Sequence, residues 1–113
     1  MAKLEAKEFS MKFNGFRMLE AAILFANLVS ELKLRSPSLK KQLARAADST
    51  ALLLAEGEGR ETWPDKRHYF VSARASHREA RVALRLGRVQ DNKILDLADY
   101  MGAGIYKLTQ WRA

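Results

Sequence analysis

Apolar residues recur along the chain at intervals of three and four, and no stretch alternates with period two for long enough to suggest a strand. From about Lys12 to Lys33, Phe16, Leu19, Ile23 and Ala26 form one such row, with Ala22, Val29 and Leu32 widening it. A second row, Leu39, Leu43, Ala46, Ala47, Thr50, Leu53 and Leu54, predicts a helix from about Pro37 to Glu56. Ser36 is placed to cap it. Pro37 stands at the first helical position, where its missing N–H is harmless. Either Gly57 or Gly59 is expected to supply a left-handed residue at its end.

The stretch "ETWPD" then opens a third helix, with Thr62 and Asp65 spaced as a capping box and Pro64 in the first turn. That helix should run to about Leu86 and stop at Gly87. Asp91 caps a fourth, about Asp91 to Trp111, whose inner row is Ile94, Ala98, Met101, Ile105 and Leu108. Trp111 and Tyr106 are expected to close the end of the core. Short connections favour antiparallel neighbours. The expected architecture is all-α, an antiparallel up-down-up-down four-helix bundle over residues 12–113, with 1–11 as a flexible lead-in. That lead-in mixes both charge signs and has no apolar signal core.

Charge alters this picture in one place. The formal net charge is +7, and between Lys66 and Arg88 seven basic residues face a single acid, Glu79. Arg67, Arg74, Arg78, Arg81, Arg85 and Arg88 are spaced by seven, four, three, four and three. At 100° per residue they fall within an arc of about 80°. Tyr69, Ala73, Ser76, Ala80, Ala83 and Leu84 lie opposite, a mostly small-residue face that another helix can approach closely. Phe70 and His77 mark one border. Val71, Ala75, Val82 and Leu86 mark the other, an apolar strip that predicts a neighbouring subunit and hence a homo-oligomer.

Arginine forks suit phosphate oxygens, and Lys40, Lys41 and Arg45 on the second helix would widen the patch. With no base-reading motif or stacking platform legible on that face, binding to RNA or DNA should run through the backbone and tolerate any sequence. The competing expectation is a protein-interaction scaffold in which acids such as Asp96 and Asp99 neutralise the row.

Other chemistry finds little support. The 113 residues contain no cysteine, which removes disulfides and thiolate sites and points to a reducing cytoplasm. "AAILFANLVS" is about half of the roughly 20 residues a membrane span requires, so no membrane role is expected. Neither His68 nor His77 follows a glutamate by three, as carboxylate-bridged metal bundles demand. No nucleophile, base and acid arrangement is legible. The expectation is no metal, no cofactor and no catalysis. "AEGEGR" is not a phosphate loop, because it follows a helix C-terminus instead of opening a helix after a strand.

Arg45, Ala46, Ala47 and Ser49, then Ala55, Glu56, Gly57, Gly59 and Arg60, then Ser76 and Glu79 together resemble a known pattern. It is that of the four-helix-bundle family first noted in intervening sequences of bacterial large-subunit ribosomal RNA genes. The chain departs from it in reading "STALLLAEG" before the turn and in lacking a tryptophan on the first helix. The resemblance implies a ring-forming bundle, commonly a pentamer, with no established enzymatic activity. A structurally similar relative is the accessory protein of diversity-generating retroelements, a basic pentameric barrel that assists a reverse transcriptase. A larger enzyme is therefore a candidate partner. Glu56, Arg60, Ser76 and Glu79 are expected to form one satisfied polar network.

Overall fold

The computed structural model describes residues 6–110, with side chains described over 15–110. Four helices fill this range: α1 (Ala6–Ser30), α2 (Pro37–Glu58), α3 (Trp63–Leu86) and α4 (Asn92–Gln110). The fold is all-α, and no strand occurs among the described residues. Each helix packs against two neighbours, in the cycle α1, α2, α3, α4 and back to α1, so α1 stands diagonally across the core from α3.

Three of the helix starts follow directly from local chemistry. Ser36 adopts an extended conformation, and its side chain accepts a hydrogen bond from the Leu39 amide at 3.1 Å. Thr62 does the same for Asp65 at 3.4 Å, and the Asp91 carboxylate accepts from the Ile94 amide at 3.0 Å. The helix ends do not follow the expected glycine rule. Gly59 and Gly87 have φ of −79° and −78°, both right-handed, and α2 runs straight through Gly57. Among the described residues the left-handed position after α3 is Arg88, with φ 54°.

Gly57 serves packing. A Cβ there would lie 2.7 Å from Cε1 of the buried Phe70 ring. The α2 row is buried as its periodicity implies, at Leu43, Ala46, Ala47, Thr50 and Leu54, and so is the α4 row at Ile94, Ala98, Met101, Ile105 and Leu108.

The α1 row requires correction in part. Ala22 and Val29 are buried as expected and Leu19, Ala26 and Leu32 pack partly buried against the core, but Phe16 is 53% exposed and Ile23 also faces outward, while Met18, Ala21 and Phe25 complete the buried face. The two faces differ by about a third of a turn. Because α1 is apolar on nearly every side between Phe16 and Val29, spacing alone does not select a face. Packing puts Phe25 in the centre, edge-on to His77 with ring centroids 5.6 Å apart. The helix also starts earlier than expected, at Ala6, within the segment read as a lead-in; residues 1–5, and Trp111 and Arg112 at the other end, lie outside the described residues.

Gly57→Ala separates two opposing effects. Alanine improves intrinsic helix propensity by about 1 kcal/mol, whereas overpacking a filled core costs about 1–3 kcal/mol. Phe70 is enclosed and has nowhere to yield. We expect a net loss of stability and a lower urea midpoint with an unchanged slope.

A basic edge between α3 and α4

The buried face of α3 comprises Lys66, Phe70, Ala73, His77, Ala80, Ala83 and Leu84. Phe70 and His77, expected at a border, lie in its middle. The helix is turned so that Phe70 reaches the core against Gly57 of α2 and Ser76 meets Ser49. Tyr69 and Ser76 are consequently only half-buried. The rotation brings Arg67, Arg74 and Arg81 against the edge of α4.

Along that edge the arginines meet different partners. Arg67 Nε donates to the Thr109 carbonyl oxygen at 3.1 Å. The Arg74 guanidinium lies 4.8 Å from the centre of the Tyr106 ring. Arg81 donates to the Asp99 carboxylate at 2.6 Å. Gly102 makes this last reach workable, since a Cβ there would stand 2.5 Å from an Arg81 terminal nitrogen. Arg78, Arg85 and Arg88 are exposed and have no carboxylate partner among the described residues.

Lys66 and Arg67 act together on helix ends. The Lys66 ammonium donates to the Glu58 carbonyl at 2.9 Å and reaches the Gly57 carbonyl at 3.5 Å, at the C-terminus of α2. Arg67 does the corresponding work at the C-terminus of α4. Both sites hold carbonyls without intrahelical partners and the negative pole of a helix dipole, where a cation is stabilising.

The expected polar network divides in two. Arg60 donates to Glu56 and to the Tyr69 hydroxyl, both at 2.9 Å, and lies over the Tyr69 ring. The carboxylate beside it raises the Arg60 pKa above its ordinary value. Ser76 instead bonds Ser49 across the α2–α3 contact at 3.0 Å. Glu79 joins neither; it lines a groove with Arg45, Arg78, Val82 and Leu86. The cause is simple geometry: Glu56 and Ser49 on α2, like Tyr69 and Ser76 on α3, stand seven residues apart, so the two sets lie about two helical turns from each other along the pair.

The second-helix basic residues also separate. Arg45 shares the groove with Arg78, but Lys40 and Lys41 border a separate hollow at the start of α2 with Pro37 and Ala44. The apolar strip is exposed, with Val82 at 54% and Leu86 at 68%, Val71 and Ala75 alongside.

Tyr106 was expected to close the end of the core. It stands half-exposed beside Arg74 instead. The spacing of Asp99, Gly102 and Tyr106, three and four residues apart, places all three on one edge of α4. That spacing is legible, but its register against α3 is a tertiary fact.

His77 lies at the inner side of this edge, buried, its Nε2 donating to the Ala98 carbonyl at 2.8 Å. The bond assigns the proton to Nε2, and Nδ1 has no partner among the described residues. Burial is the largest influence on its pKa, and with nearby Arg81 it outweighs the Ala98 carbonyl and Asp99, so the pKa falls below 6.5.

The 23S rRNA-intervening sequence protein family model matches residues 16–110, and the chain belongs to that family. No curated protein and no solved structure matches it. No helix among the described residues is long and apolar enough to cross a membrane.

Two measurements check this geometry. The His77 pKa is lower folded than unfolded, so its stabilising contribution is full above pH about 6.5 and is lost as pH falls from there through the folded pKa. We expect the thermal midpoint to drop between pH 7.5 and 5, and to drop less in His77→Gln, which retains an N–H for Ala98. The Arg81–Asp99 pair is largely solvated. A double-mutant cycle with Arg81→Gln and Asp99→Asn should return a coupling below about 1 kcal/mol.

Proposed function

We propose that the protein is a non-catalytic helical bundle that binds the backbone of RNA or DNA through the exposed edge of α3, as an accessory to a larger nucleic-acid-handling enzyme. One observation carries this reading. Of the acids among the described residues, only Asp99 pairs with the row; Arg78, Arg85 and Arg88 form no ion pair among them, nor does Arg45, which shares a groove with Arg78 and Glu79. Arg67 to Arg85 span about 27 Å of helix, enough to follow several phosphates. Arginine presents a planar fork suited to each of them.

The same chain has two apolar faces without partners on diagonally opposed helices: Phe16, Ile23 and Leu24 on α1, and Val71, Val82 and Leu86 on α3. Unlike faces on opposite corners of an up-down-up-down bundle fit head-to-tail contact between copies, which closes into a ring. This supports the homo-oligomer that membership of the family suggested, in a cysteine-free chain suited to the cytoplasm. It also gives the scaffold reading its strongest support, because subunit contacts on the α3 strip would run beside the arginines.

Fluorescence anisotropy with mixed-sequence RNA and DNA at low salt tests the nucleic-acid reading. Binding should weaken with salt at a logarithmic slope between about −3 and −5. Single Arg78→Gln and Arg85→Gln changes should each reduce that slope by about 1 without altering the thermal midpoint. Absence of binding to either nucleic acid at low salt would refute it and leave the scaffold. Sedimentation tests the ring: Leu86→Glu and Ile23→Glu should each release monomers, and a wild-type protein that is monomeric at tens of micromolar rules the assembly out.

A further inference from the structure

The edge of α3 holds more than charge. Between α3 and α4 lies a cleft of about 270 Å³ whose rim carries Arg74, Arg78 and Arg81 and whose other wall is Gly102, Ile105 and Tyr106. Among the described residues no carboxylate lines it, and Asp99 holds Arg81 at its rim. Resting on the backbone-binding reading above, we infer that this cleft takes an unpaired nucleobase, stacked on the Arg74–Tyr106 pair, with a flanking phosphate on Arg78; the preferred ligand is therefore a single strand.

Three features support a base here. First, the Tyr106 ring is 45% exposed and holds the Arg74 guanidinium 4.8 Å from its centre. A guanidinium fixed over a ring is a flat, cationic platform, and bases stack on such planes as they do on aromatic rings. Second, Gly102 leaves the wall without a side chain and the Arg81 guanidinium lies over it instead, so a further planar cation borders the cleft. Third, Arg78 stands beside it on α3 with no ion-pair partner among the described residues, placing charge where a phosphate of a splayed strand would pass. A paired base in a duplex keeps both faces stacked on its neighbours and cannot use the platform, whereas backbone contacts serve single strand and duplex alike.

The test compares a labelled 20-nucleotide single strand of mixed sequence with the matching duplex, by anisotropy at low salt. Wild type should bind the single strand about tenfold more tightly, within the range that one stacked base contributes. Tyr106→Leu should remove that preference and leave duplex affinity unchanged, and Tyr106→Phe should retain it. Arg74→Lys keeps the charge but not the plane. It should lose the preference with the salt slope intact, and it serves as an independent check should Tyr106→Leu fail to fold. Equal wild-type affinity for strand and duplex overturns the base site while the backbone reading stands. So does an equal loss for strand and duplex in both Tyr106→Leu and Arg74→Lys. Absence of any binding overturns both.

Discussion

Everything on the surface of α3 depends on how closely that helix lies against α2. The two share the most extensive contact among the described residues, and both helices bury small residues: Ala46, Ala47 and Gly57 on one, Ala73, Ala80 and Ala83 on the other. The Phe70 ring fills the space a side chain at Gly57 would need, and the Ser49 and Ser76 hydroxyls pair at the edge of the contact. A filled interior resists displacement, so this contact sets the rotation of α3 about its own axis. Once that rotation is set, the remaining circumference has no freedom. Arg67, Arg74 and Arg81 border α4, and Val71, Val82 and Leu86 point away from the core.

A row of like charges at spacings of one helical turn is tolerated because each arginine meets a local remedy or water. Neighbours along the face stand about 5–6 Å apart, and salt at physiological strength screens charge over about 8 Å, so repulsion along an exposed row is modest. Arg67 is offset by the end of α4, Arg74 by a ring, and Arg81 by Asp99. The same logic explains Lys66, a buried cation directed at the carbonyls that end α2. Consecutive basic residues at the start of α3 thus tie down the C-termini of two different helices. The arginines further along lack such duties and retain charge for a partner.

The legible parts of the structure were those governed by neighbours in sequence. Ser36, Thr62 and Asp91 cap helices because a short polar side chain reaches an amide three residues on, whatever the rest of the chain does. The α2 and α4 rows were legible because polar residues surround a single apolar stripe. The α1 face was not, since apolar residues on almost every side leave the choice to the packing of Phe25. The role of Gly57 was not legible either: a glycine near a helix end reads as a left-handed stop, and only the position of Phe70 shows that it makes room for a ring. The polar network failed for a related reason, because residues adjacent in a motif sit many ångströms apart along two helices.

Alone, the sequence determined that the chain is four helices, where three of them start, and that one of them carries a cationic face. Each of these is set within a few residues by capping, spacing and composition. Tertiary structure decided which arginines remain free. That depended on the rotation of α3 against α2 and on the register of α4, which brings Asp99, Gly102 and Tyr106 to the row. Periodicity describes angles around one helix axis; partners across a groove depend on the relative placement of two, and only side-chain packing sets that.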